Sequence, residues 1–290
     1  MSGPPLIGHV LLGEPQTLAA LALLGLAYAA GEARRRPAAA GRGRRRGRGR
    51  EPMAFGAGIA VLVAALTGPL HGLADELFSA HMAQHVLLTA VAPPLLLLGR
   101  PGRRLLPLLP AGWRSRLGRT RLRARRALAT GGTGTGMGLA VASATLVLWA
   151  WHLPFLYEAA VRDPAVHALE HALLLGTASW FWAEVIRLDR GGAHQLALFG
   201  LFVVGASGAA LGVLLAFSGR VAYTVHAAGA ARFGLTPLED QQVAAVGMWM
   251  GGGLVYVAAA VVVASHWLAA STGGRSELPA SAAARAGSRP

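Results

Sequence analysis

The chain has 290 residues, 54% of them hydrophobic and only 14% charged, with a mean hydropathy of +0.47. A soluble domain of this length is far less apolar, so the composition predicts a membrane protein. There is no cysteine, which excludes disulfides, thiolate ligands and a cysteine nucleophile, and leaves histidine, methionine and carboxylates to hold any transition metal.

The net charge of +14 agrees in sign with a nucleic-acid binder, and GRGRRRGRGR (41–50) has the composition of an RNA-binding tail. The placement of the arginines argues otherwise. Nine lie between Arg34 and Arg50 and ten between Arg100 and Arg126, each cluster directly after an apolar run. That pattern marks two cytoplasmic loops lying against anionic lipid, and no nucleic-acid partner is expected.

In chain order, seven apolar segments approach the roughly 20 residues that a helix needs to cross a bilayer. They fall at 15–33, 53–72, 79–99, 136–154, 165–187, 194–217 and 241–268. The first has no basic residue before it and EARRRP after it, so it reads as an uncleaved anchor with its N-terminus outside. Alternation then puts both arginine-rich loops, the link RLDRGGAH (187–194) and the C-terminus inside. The predicted fold is an all-α polytopic bundle of seven transmembrane helices, forming one membrane domain over 1–270, with a disordered cytoplasmic tail over 271–290. GGTGTGMG (131–138) misses the GxGxxG spacing and has no strand before it, so it reads as a hinge. Pro93 and Pro94, two-thirds of the way through the third segment, predict a kink or a break.

Six histidines share one depth in this scheme. His71 ends segment two, His81 and His85 open segment three, His152 ends segment four, and His167 and His171 open segment five. All six lie at the outer boundary. Two pairs are spaced i, i+4, which stacks imidazoles on one helical face and lets both rings of a pair reach one ion. A lone histidine at a membrane interface is ordinarily an anchor or packing residue, but two such pairs on different helices at one level predict a metal or cofactor site. His9, His194, His226 and His266 are scattered and carry no assigned role. Glu170, beside His171, is placed to orient a ligand imidazole or act as a base. Asp240, opening the last segment, is a functional carboxylate by its position. Met82 and Met248 are candidate copper(I) thioethers.

Three blocks, HMAQHVLLTAVAPPLLLLGRP (81–101), WAWHLPFLYEAAVRDPAVHALEHALLLGTASWFW (149–182) and DQQVAAVGMWMGGGLVYV (240–257), resemble the signature blocks of the CtaG family of cytochrome c oxidase assembly factors, associated with caa-type oxidases of Gram-positive bacteria. The resemblance runs from about Leu18 to Trp267. It implies a seven-helix protein of the bacterial plasma membrane that helps mature the oxidase, is not itself an enzyme, and handles copper for an oxidase centre, with an extracytoplasmic copper donor as a further partner. The family pattern carries over onto His81, Gln84 and His85, onto Trp151, His152, Leu153 and Pro154, onto His167, Glu170 and His171, and onto Asp240, Gln241 and Gln242. Other readings stay open. HALEH (167–171) matches the HxxEH string of some zinc peptidases, with His81 or His85 as third ligand. Facing histidines also serve as haem ligands, and a metal-free assembly scaffold needs none of these.

Overall fold

A computed structural model describes residues 15–35, 49–132 and 134–273; residues 271–273 of the expected tail continue the last helix, and the rest of the tail and most of the first arginine-rich loop lie outside the described residues. Among the described residues the chain is helical, with no strand. Helix α1 is Pro15–Arg35, α2 Arg50–Leu66 and α3 Pro69–Ala74. The 21-residue α4 is Phe78–Leu98, followed by α5, Pro101–Leu105, and the exposed arginine-rich α6, Ala111–Thr130. Then come α7 (Thr135–Trp151), α8 (Pro154–Arg162), α9 (Pro164–Arg190), α10 (His194–Ala216) and α11 (Ala227–Arg232). The 36-residue α12 is Pro237–Thr272.

Four of these, α1, α4, α10 and α12, are long and apolar enough to cross a membrane, and a fifth candidate is α7 taken with α8, which are bent by 74° at their junction. The protein is therefore a polytopic helical bundle. Of the other two expected spans, α2 has 17 residues. Helix α9 has 27, but His167, Glu170, His171 and Glu184 reduce its hydropathy; the polarity lies partly in the candidate site. Phe199 and Phe202 on α10, Leu146 on α7, and Leu254 and Val261 on α12 point outward and exposed, an apolar wall suited to lipid. The core lies between α7, α9, α10 and α12, where Met137, Phe181, Trp182, Leu188 and Leu201 pack together.

Local chemistry explains the boundaries. The expected second span, 53–72, is divided: Gly68 takes φ 78°, which glycine adopts without a Cβ penalty, and Pro69 starts α3 at its first turn. Asp163 caps α9 by accepting from Ala165 and Val166, again with a proline at the first turn. Thr236 and Glu239 form a reciprocal capping box that starts α12.

The prolines of α4 do not break the helix. The helix runs on through Pro93 and Pro94, with a π turn over Leu87–Val91 just ahead of them. The Thr89 carbonyl would receive its helical bond from residue 93, or from residue 94 in a π turn, and both are prolines without an N–H. The Trp182 indole of α9 donates to that carbonyl at 2.9 Å instead. The proline pair thus becomes an attachment point between α4 and α9. A second π turn, Met248–Gly252, interrupts α12.

Candidate metal centre

The first turns of α4 and α9 and the ends of α3 and α7 meet at one end of the bundle. The α4 N-terminus is held there by α12: Asp240 accepts from the Phe78 amide at 2.7 Å and the Ser79 amide at 3.1 Å. One turn on, His81 and His85 meet edge to face with ring centroids 4.6 Å apart, neighbours on one helical face as the i, i+4 spacing requires. His167 and His171 on α9 are 4.2 Å apart, and the two pairs face each other, with His81 5.2 Å from His167 and His85 5.7 Å from His171. The Glu170 carboxylate enters between them, 3.7 Å from His81 Nε2 and 3.5 Å from His85 Nε2, with no exposed surface of its own.

One ligating atom from each of His81, His167, Glu170 and His171 lies within 4.8 Å of all the others. Donors bonded to one ion at about 2.0–2.1 Å can be no more than about 4 Å apart, so an ion would draw the four together by less than an ångström or so. These atoms are also unsatisfied. His81 Nε2, both ring nitrogens of His85, His167 Nε2, His171 Nε2 and both Glu170 oxygens are buried with no hydrogen-bond partner. Buried polar atoms cost about 1–3 kcal/mol each when left unpaired, and here they converge on a common space. Three imidazoles and a carboxylate suit a divalent or monovalent transition ion.

The remaining expected residues fall around this group. His71, on α3, stacks 6.5 Å from His167. Its Nδ1 is 3.3 Å from Gln84 Nε2, which also donates to the Ala65 carbonyl at the end of α2 at 2.6 Å. His152 closes α7 and sits 5.9 Å from His85, with Nε2 3.2 Å from Met82 Sδ. Asp240 belongs to the same end but spends both oxygens on backbone amides. Gln241 likewise accepts from the Ala222 amide. Met248 packs in one apolar cluster with Met82 and lines a cavity of about 60 Å³ that His85, Leu148 and Tyr256 also line.

Sequence reasoning missed three residues. His226 is buried with its ring 6.2 Å from His81. The Tyr157 hydroxyl lies 2.7 Å from its Nε2, and Tyr223 donates to the His152 carbonyl at 2.7 Å. The signal for His226 was its loop: the segment between spans six and seven falls on the same side as the other six histidines by simple alternation. Gly229 holds that loop down, because a Cβ there would strike the Glu76 carbonyl.

The family model described as cytochrome c oxidase caa3 assembly factor (Caa3_CtaG) matches residues 26–270. No curated protein and no solved structure matches the chain.

Proposed function

The chain belongs to the cytochrome c oxidase caa3 assembly factor family, and we propose that it serves oxidase assembly by taking up copper at the histidine cluster and delivering it to the oxidase. Copper here is cargo. His81, His167, His171 and Glu170 bind it, His85 and His152 stand inward of them, and His71, beside Gln84, flanks His167. The observation that carries this reading is the convergence of buried, unpartnered imidazole nitrogens and carboxylate oxygens. A fold that buries so many lone pairs without partners is disfavoured unless a ligand satisfies them.

The membrane reading extends the same way. Seven spans with the N-terminus outside and the C-terminus inside bring the arginine-rich loops to the cytoplasmic face of a bacterial plasma membrane and turn the cluster outward. Copper then comes from an extracytoplasmic donor and leaves toward an oxidase subunit in the same membrane.

Elemental analysis of the full-length detergent-purified protein tests it, with wild type beside His81→Ala/His85→Ala after separate loading with copper(I) and zinc. The expected result is copper retained by wild type and lost from the double variant. Equal copper in both proteins removes the pair from the site; no retained metal leaves a scaffold. A second reading has one specific support: the convergent set is the HxxEH string of 167–171 plus His81, the third ligand that a zinc hydrolase requires. Zinc retention with hydrolysis abolished in Glu170→Gln would favour it.

A further inference from the structure

His152 ends α7 with Nδ1 2.7 Å from the Leu148 carbonyl oxygen. A carbonyl oxygen only accepts, so Nδ1 carries the hydrogen, and in the neutral ring Nε2 is left with its lone pair. That lone pair faces Met82 Sδ at 3.2 Å, and a thioether sulfur also only accepts. The contact is dry, with Met82 1% and His152 5% exposed. Two acceptors at this distance oppose each other unless a positive charge stands between them.

A third donor is adjacent. His85 lies three positions beyond Met82 on the same face of α4, its ring 5.9 Å from that of His152, and neither of its nitrogens has a hydrogen-bond partner. We propose that Met82, His152 and His85 form a second metal site, specific for copper(I), to which the carboxylate-bearing group passes its ion. This rests on the reading that the protein handles copper. Thioether and imidazole without a carboxylate select the soft, low-coordinate monovalent ion over zinc and copper(II). Nitrogen and sulfur 3.2 Å apart are both within reach of one ion bonded at about 2.0 Å to nitrogen and about 2.3 Å to sulfur.

His85 stands between the two groups. On one side its Nε2 is 3.5 Å from Glu170; on the other it neighbours His152. An ion moves from the outer group to the inner one by gaining His85 as it gives up His81, His167, His171 and Glu170, and then gaining Met82 and His152. Copper enters and leaves as copper(I), so no electron is transferred. His85 and Met248 both line the apolar cavity at this level.

X-ray absorption at the copper edge tests the site, on full-length protein loaded anaerobically with two equivalents of copper(I). A sulfur scatterer beside nitrogen is expected in wild type. It should disappear in Met82→Leu, which keeps side-chain volume and therefore the fold, with bound copper falling from two equivalents to one; Met248→Leu should keep it. Copper surrounded by nitrogen and oxygen alone, or sulfur that persists in Met82→Leu, overturns the second site while leaving the copper reading standing. Wild-type protein that retains no copper overturns both.

Discussion

Two polar clusters are buried at opposite ends of α4, and they are built on opposite rules. At the Leu98 end, Arg104 of α5 donates to Glu32 of α1 at 2.7 Å, to Glu51 of α2 at 2.9 Å and to the Gly99 carbonyl at 2.9 Å. Its guanidinium also lies 4.9 Å from the Tyr28 ring centroid, which stacks 3.8 Å from Phe55. Burial opposes the Arg104 charge, but the bonds to Glu51 and Glu32 outweigh it and hold the group above its ordinary pKa. At the Phe78 end the donors and acceptors face each other at 3.5–3.7 Å without a bond. The first cluster is closed on itself and fastens α1 to its neighbours. The second is open, and an open cluster in a dry interior is a receptor. His194 and His266 make the same point in small: both rings lie 3.0–3.1 Å from Asp189, and partnered histidines of that kind need no ion.

The sharpest way to break this contrast is at the closed end. Arg104→Met leaves Glu32 without its cation and Glu51 with only Arg100, 3.2 Å away. Removing one partner of a buried ion pair costs about 3–5 kcal/mol, and with the two glutamates 18% and 28% exposed the lower figure of about 3 kcal/mol applies. The apparent midpoint of thermal unfolding in detergent should fall clearly, while the folded fraction keeps the wild-type copper to protein ratio. An unchanged midpoint would show that the cluster does not fasten α1; lost copper would show that the two ends are not independent.

Glu170→Gln probes the open end with a smaller effect. The amide keeps shape and packing but removes an anionic ligand, and affinity should weaken by at least the roughly 10- to 100-fold that loss of a merely supporting partner costs. Competition against a chromophoric copper(I) chelator measures it. In metal-free protein the same change should leave stability level or raised, because it removes a buried carboxyl group whose oxygens have no hydrogen-bond partner. A destabilised metal-free variant would mean that Glu170 is a structural residue after all.

What could be read from the residues is what depends on local spacing and on depth. The i, i+4 pairs His81/His85 and His167/His171 need only helical geometry to meet, and counting spans puts His71 and His152 at their level. His226 was missed because its loop carries no periodic signal and its burial comes from α11 folding over Glu76. The fate of Pro93 and Pro94 was hidden for a similar reason, since the group that takes over the freed Thr89 carbonyl is Trp182, 93 positions away. Span two looked continuous by hydropathy, which does not register the positive φ of Gly68. Asp240 shows a subtler limit: its end of the bundle followed from the sequence, but the direction of its oxygens, toward the α4 amides rather than the imidazoles, is a tertiary fact.

Asp240 therefore supplies the smallest effect and the finest distinction. Its two oxygens cap the first turn of α4, one turn before His81, so it reaches the site through backbone. Asp240→Ala removes a side-chain cap worth about 1 kcal/mol, up to about 2, and should lower the thermal midpoint slightly while weakening copper only as far as α4 frays. Asp240→Asn, which still accepts through its amide oxygen, should recover most of both losses. A carboxylate acting on the ion through its charge predicts the reverse: Asn would be as poor as Ala for copper, and metal-free stability would be the less affected quantity. The ratio of the two losses in the two variants separates a helix cap from a ligand.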